Sequence, residues 1–388
     1  MSKPGRYEFL DLYRGLIVLF MLQGHVFRAL LDPSARSTEA FRLHELFHGI
    51  TAPGFLFSAG FTFAIATQRR WEHLLSFSPV FWRRAWRAVL IILVGYALHV
   101  PFLSLAKTLT DSTDLQWREF LAFNVLQCIG FTLLFLRLLL VALRSERSFL
   151  FTTAAVTIAI VMTTPLVWNE NVQQALPAAV AMALNGLSGS YFPLFPNAAF
   201  LLAGALISWQ FLRYVQRSDE RRFMSWLLLA GLISIGSGFV FDAFPFSLYP
   251  NSDFWTTSPN FFLMKLGGLA VLLSLLWFFE NHVAHPSEHD PWIPRWLVTV
   301  GVESLFVYVA HLIALYGWAA HPSFNMEAVW GEKLSAVESF LAFVALTGLM
   351  VVTALGWRRL KKNHPVLMQG VYWWMGVTFV VEFLTRSY

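Results

Sequence analysis

Only one cysteine, Cys128, occurs among the 388 residues, so no intrachain disulfide can brace the fold. Nothing around it suggests a thiol nucleophile, and a small buried hydrophobe is the expected role. Charge is scarce as well. Asp, Glu, Lys and Arg make up 13% of the chain, about half of what soluble domains carry. That scarcity excludes an ordinary soluble globular domain. There is no low-complexity tract and no convincing internal repeat. The start, MSKPGRYEFLDLYRG, has a positive flank but no small-residue cleavage site after its first apolar run, so the expectation is an uncleaved first span.

What is present is apolar length. Hydrophobic residues make up 57% of the chain, and runs long enough to cross a ~30 Å hydrocarbon core fall at 9–30, 50–68, 88–106, 119–142, 148–167, 193–212, 223–244, 260–281, 296–318, 337–356 and 370–386. The expected fold class is therefore an all-α polytopic membrane protein of about eleven transmembrane helices, a single domain over 1–388. Pro53, Gly54, Gly60 and Pro165 are expected to interrupt the second and fifth runs. With the N-terminus cytoplasmic and the C-terminus outside, 18 lysines and arginines fall in inner segments and seven in outer ones, while Arg14, Arg137 and Lys265 lie within spans. The net charge of +5 then belongs to basic loops beside anionic headgroups and calls for no nucleic acid. The aromatic content of 16% fits interface belts and lipid-facing surface and requires no cofactor. The outer connections 169–192 and 319–336 are mostly uncharged and could fold back as short helices over an acceptor site.

Ionisable groups inside spans point to function, because they are expensive in hydrocarbon. Arg14 and His25, in DLYRGLIVLFMLQGH, are separated by about three helical turns, which puts them on one face roughly 16 Å apart along the axis. Asp11 can pair with Arg14 one turn away. Arg14 could simply snorkel to headgroups and His25 could hydrogen-bond a neighbouring helix. Together they define a path from an anion-binding end to an imidazole suited to general-base work. Between the first two spans, His44, Glu45 and His48 spell H-E-x-x-H, the zinc-protease signature. The run from Gly49 to Gln68 supplies no Asp, Glu, His or Cys as a third ligand. His44 or His48 could instead act in acid-base catalysis at the outer mouth or anchor the helix at the interface. In the fourth run Asn124 and Gln127 stand at i, i+3, able to orient a ligand or to hydrogen-bond another helix. In the ninth, Ser304, Tyr308 and His311 follow i, i+4, i+7 on one face, with Glu303 before them. Lys265, preceded by Asn260 and Asp253, could form a salt bridge or touch substrate.

R-x10-H in the first span resembles the membrane acyltransferase 3 family, in which this Arg and His are the essential pair of enzymes that O-acetylate cell-surface polysaccharides. The wider chain is similar to the heparan-α-glucosaminide N-acetyltransferase group. DLYRG, HELFHGITAPGFLFSAG against that group's H-x3-N-G-L-T…P-x-F-x-F-x-x-G, VLQCIG against VLQRI, and VGVESLFVYVAHLI against G-M-N-S-I-L-V-Y-V-G-H follow in the same order. A count of eleven spans also agrees with that group. The resemblance places His44 on the group's catalytic histidine, His48 on its loop asparagine and His25 on another asparagine. Glu303 stands for the usual asparagine and Cys128 for an arginine. The implied activity is acyl transfer from acyl-CoA on the inner side to a sugar hydroxyl or amine outside. Acetyl-CoA is the donor substrate, and no group is bound permanently. In this reading Arg14, with Asp11, binds the CoA phosphates. His25 or His44 is the base, and Gln127, Asn124, His48, Lys265 and the Ser304–Tyr308–His311 face position groups or stabilise the oxyanion. Transfer could be direct or pass through an acyl-histidine. The expected partners are acyl-CoA, a saccharide acceptor and the bilayer, with a homodimer as an open assembly and a bacterial inner membrane as the location. A transporter or flippase of a lipid-linked or polar substrate is the alternative, with zinc proteolysis behind it.

Overall fold

Hydrocarbon offers no hydrogen-bond partners, so a chain this apolar must satisfy its backbone internally, and helix is the only extended regular structure among the described residues. The structure, a computed structural model, describes residues 7–242, 249, 253–282, 294–320 and 322–387. Lys3 and Arg6 of the orientation count, and residues 243–244 of the expected seventh span, lie outside the described residues. The principal helices are α1 (Glu8–Leu30), α2 (Glu39–His48), α3 (Thr51–Gln68), α4 (Pro79–Leu98), α5 (Val125–Leu143), α6 (Glu146–Val167) and α7 (Leu194–Val215). They are followed by α8 (Glu220–Asp242), α9 (Pro259–His282), α10 (Arg295–Val302), α11 (Ser304–Tyr316), α12 (Ala336–Asn363) and α13 (Pro365–Thr385). Among the described residues, eight of these are long and apolar enough to cross a membrane: α1, α5 to α9, α12 and α13. The pair α10 and α11 makes a ninth if it counts as one broken span.

Several expected segments differ from the helices found in bounds or continuity, for local reasons. The third starts at Pro79 rather than 88, because Ser78 caps the helix by accepting from the Phe81 amide at 3.2 Å and Pro79 occupies the first helical position. Arg83, Arg84 and Arg87 therefore lie in α4, not in a loop. The fourth does not begin at 119: Asp114–Leu121 is a separate short helix, and Asn124 sits extended at the N-cap of α5 (φ −106°, ψ 176°). The Phe123 amide there donates to Ser190 Oγ at 2.8 Å. Asn124 and Gln127 are thus a cap and a first-turn residue rather than a pair on one helical face. The ninth bends by 84° at Glu303. Neither the second nor the fifth is interrupted: α6 runs through Pro165 to Val167, Pro53 falls in the first turn of α3, where its missing N–H costs nothing, and Gly60 lets α3 meet α7. A Cβ at Gly60 would strike the Leu201 carbonyl, and one at Gly204 would strike that of Phe57. The connections expected to be outer contain short helices, at Glu170–Ala175, Ala178–Leu184 and Met326–Trp330.

The chain divides into two compact units, each gathered from separate stretches. One comprises 1–51, 98–120 and 279–388 and is built on α1, which packs against α2, α10, α11 and α12, while α12 packs on α13. A short bridge ties the loop after Met326–Trp330 to the end of α1: the Leu334 amide donates to Leu30 O at 2.9 Å and the Asp32 amide to Leu334 O at 2.9 Å. The other unit comprises 52–97 and 121–278 and centres on α7, which packs against α5, α6 and α8. Glu146 at the head of α6 accepts from Trp209 Nε1 at 2.9 Å and from Arg213 at 2.6 Å on α7.

Candidate functional site

The bend at Glu303 lets α11 run alongside α1 in constant register. Arg14 Nη2 donates to Ser304 Oγ at 2.7 Å, an offset of 290 residues. Near the far end, His25 Nδ1 lies 3.3 Å from Tyr316 Oη, an offset of 291. An offset that changes by only one over eleven positions means two parallel helices sharing one polar seam, with Arg14 and Ser304 at one end and His25, His311 and Tyr316 at the other, about 16 Å apart along α1. The face expected from i, i+4, i+7 spacing is realised within α11, where Ser304 and His311 are buried.

The histidine end gathers four imidazoles from three helices. His44 and His48 of α2 stack nearly parallel, with centroids 6.0 Å apart. His25 stands edge-on to His48 at 6.1 Å and to His311 at 5.1 Å. The order in space is therefore His44, His48, His25, His311. Tyr308 meets His311 at 5.7 Å. α2 can approach α1 this closely because residue 24 is glycine; any Cβ there would collide with the His48 ring.

Two of the four rings have a defined tautomer. His311 Nδ1 donates to Val307 O at 2.9 Å, which leaves Nε2 as a buried lone pair without a partner among the described residues. His44 Nε2 donates to Gln23 Oε1 at 2.7 Å, which leaves Nδ1 in the same condition. Burial pulls His44 below the ordinary imidazole range; Glu45 opposes that shift and Arg28 adds to it. His48 is lowered too, first by burial and then by Arg28. Both shifts favour the neutral ring. Phe27 lies against His44, with centroids 5.4 Å apart. Thr51 Oγ1 donates to the His48 carbonyl at 2.7 Å, joining the end of α2 to the start of α3. Glu45, the middle letter of H-E-x-x-H, accepts from Arg28 at 2.7 Å.

The arginine end is ionic. Glu303, 5% exposed, pairs with Lys361 of α12. One turn away, Arg358 Nη1 donates to Thr299 Oγ1 at 2.7 Å. Arg14 is half-buried among these groups. Asp11, also half-buried, lies three residues before it, and its backbone carbonyl comes so close to Gly301 that a Cβ there would collide with it.

The remaining expected site residues belong to the other unit. Gln127 is fully buried, with both amide atoms unpartnered among the described residues. Asn124 is buried at the head of α5. Lys265 rests its ammonium over the Phe261 ring at 4.1 Å. Its expected neighbour Asp253 is turned to its own loop, accepting from the Thr256 amide at 2.8 Å. Cys128 is buried, in line with the sequence reading.

Sequence reasoning missed Gln23, Tyr316, Thr51, Arg358 and Lys361. Gln23 carried a signal, being a second polar group two residues before His25. Thr51 bonds His48 only three residues away, whereas Tyr316, Arg358 and Lys361 join partners on helices far apart in sequence, which no local pattern encodes. The family model described as heparan-alpha-glucosaminide N-acetyltransferase, catalytic, matches residues 6–238, more than half of the chain. That stretch holds Arg14, His25, His44, His48, Asn124 and Gln127 and ends before Lys265 and α11. A comparison with curated proteins finds no match. With its many apolar helices and a match of this extent, the chain belongs to the heparan-alpha-glucosaminide N-acetyltransferase catalytic family and is a multi-pass membrane acetyltransferase.

Proposed function

We propose that the chain, acting as one catalytic domain, moves an acetyl group from acetyl-CoA to an amine or hydroxyl of a sugar, with His44 as general base. The observation that carries this reading is the fixed tautomer of His44: Gln23 holds the proton on Nε2 and leaves Nδ1 free to take one. A base must be unprotonated at working pH, and a half-buried imidazole lowered below 6.5 meets that requirement. Arg14 binds a phosphate of the donor by charge-assisted hydrogen bonds, in place of or beside its bond to Ser304. The pantetheine arm then follows the α1–α11 seam toward the histidines. The acceptor N–H or O–H gives its proton to His44 Nδ1 as its nitrogen or oxygen bonds to the acyl carbon. The C–S bond breaks, CoA leaves as thiolate, and the proton returns to sulfur. His25, with Tyr316, and His311, through its free Nε2, orient the acyl group and the acceptor, and the oxyanion falls to donors along this face. The donor enters from the side richer in lysine and arginine, the cytoplasmic side of a bacterial inner membrane, and the acceptor from the opposite side.

The test is acetyl-CoA-dependent label transfer with CoA release by the purified chain in liposomes, over a panel of amino sugars and glycans. Transfer to at least one sugar, abolished in His44→Ala, is the expected result. Folded protein that neither binds nor turns over acetyl-CoA would overturn the reading.

A further inference from the structure

The unit built on α7 contains a cluster of arginines to which the reaction proposed above assigns no role. Arg137 lies within α5, six residues from its end at Leu143 and so about 9 Å inside it. A snorkelling arginine would send its head to water, but Arg137 does otherwise. Its Nε and Nη1 are buried with no hydrogen-bond partner among the described residues, and its guanidinium carbon stands 5.7 Å from the centroid of the Phe63 ring of α3. Leu134 and Val141, which flank Arg137 on its helical face, pack against Phe81 and Ala85 of α4. This face therefore meets α4 at the level of Arg84. Arg84 is half-buried and donates to Ala66 O at the end of α3, at 3.0 Å. Arg84 and Arg87 are close enough for their charges to bear on Arg137. None of the three arginines forms an ion pair among the described residues.

Three like charges with two desolvated N–H groups are unfavourable unless an anion completes them. Each of these buried N–H groups is a charge-assisted donor for which an oxygen of an anion is the fitting acceptor. Both helices carry this cluster near the ends that lead to basic loops: Arg84 lies five residues into α4, and Arg144 and Arg147 follow α5. Phosphate groups are found at that level, on lipids or on nucleotides. We infer that Arg137 and Arg84, between α3, α4 and α5, form a binding site for a phosphate group, with Arg87 at its rim. The source is either an anionic phospholipid headgroup or a phosphate of a nucleotide such as CoA. The assignment does not depend on acetyl transfer.

The test measures the unfolding midpoint of the full chain in nanodiscs. One arm compares phosphatidylcholine alone with phosphatidylcholine containing phosphatidylglycerol; the other adds CoA to the phosphatidylcholine discs. Wild type should show a saturable rise of a few degrees in one arm, and Arg137→Met should lose most of it. A rise with phosphatidylglycerol names the lipid as the source, and a rise with CoA names the nucleotide. If Arg137→Met does not fold, Arg84→Gln replaces it and should weaken the response severalfold. No saturable rise of the wild type in either arm overturns the site, and so does a rise that the variants keep in full. Arg14→Ala separates the two readings: a CoA response lost there but kept in Arg137→Met belongs to the donor site. A lipid response in protein that transfers no acetyl group would keep this site and sink the proposed reaction.

Discussion

The two ends of the α1–α11 seam carry opposite chemistry. At one end Arg14, Glu303, Lys361 and Arg358 are ionic and tied by charge-assisted bonds. At the other, His44, His48, His25 and His311 form a row in which two rings keep a bare lone pair. Fixed charge holds an anionic donor but is of little use for moving protons at neutral pH. Neutral imidazoles take protons but hold phosphate weakly. Parallel packing of α1 and α11 keeps the two ends apart by about three turns, with α2 adding His44 and His48 at one end and α12 adding Arg358 and Lys361 at the other.

The sharpest break of this comparison removes the base. His44→Ala should lower kcat by about 10²- to 10⁴-fold with little change in the KM for acetyl-CoA, measured by steady-state CoA release. At the ionic end, Arg14→Ala should raise the KM for acetyl-CoA by roughly 10- to 100-fold, as loss of a charge-assisted bond of about 1.5–3 kcal/mol implies, with kcat within a few fold. Lys361→Met leaves the carboxylate of Glu303 buried and unpaired; it should cost about 1–3 kcal/mol, read as a lower midpoint of unfolding, and adding Glu303→Gln should recover part of it. The smallest effect concerns pH. Because the pKa of His44 in the fold lies below 6.5, its neutral, active form predominates above that value. The rate should therefore be flat at pH 7 and above and fall on an acid limb centred below 6.5. In that window the unfolded chain binds more protons than the folded one, so stability should also decline as pH drops below about 6.5. Gln23→Leu should move the acid limb, which a purely structural role for Gln23 would leave in place.

A second comparison shows what the sequence could reveal. α1 and α13 both meet the length and apolarity of a span, yet 67% of the α1 window is buried and only 6% of the α13 window. Hydropathy found both, because it measures transfer from water and not the neighbour that replaces water. The polar groups of α1 were the legible difference: Arg14, Gln23 and His25 stand on a helix whose ends also carry Glu8, Asp11 and Arg28, whereas α13 exposes Trp373 and Trp374. The i, i+4, i+7 face of α11 was legible because local period fixes it. The bend at Glu303 was not, since it arises where Lys361, 58 residues away, takes the carboxylate. The shifted start of the third segment was readable from Ser78 and Pro79, but three arginines close behind them suggested a loop. Arg137 was visible only as a charge within a span; its buried N–H groups depend on Phe63 and α4.

The central claim is that one seam divides donor binding from proton transfer. The measurement that tests it most directly is the kcat and KM of Arg14→Ala beside those of His44→Ala, on one acceptor with acetyl-CoA varied. The account predicts a split, with Arg14→Ala acting on KM and His44→Ala on kcat. Equal losses of kcat at unchanged KM in both variants, or full turnover by His44→Ala, would contradict it.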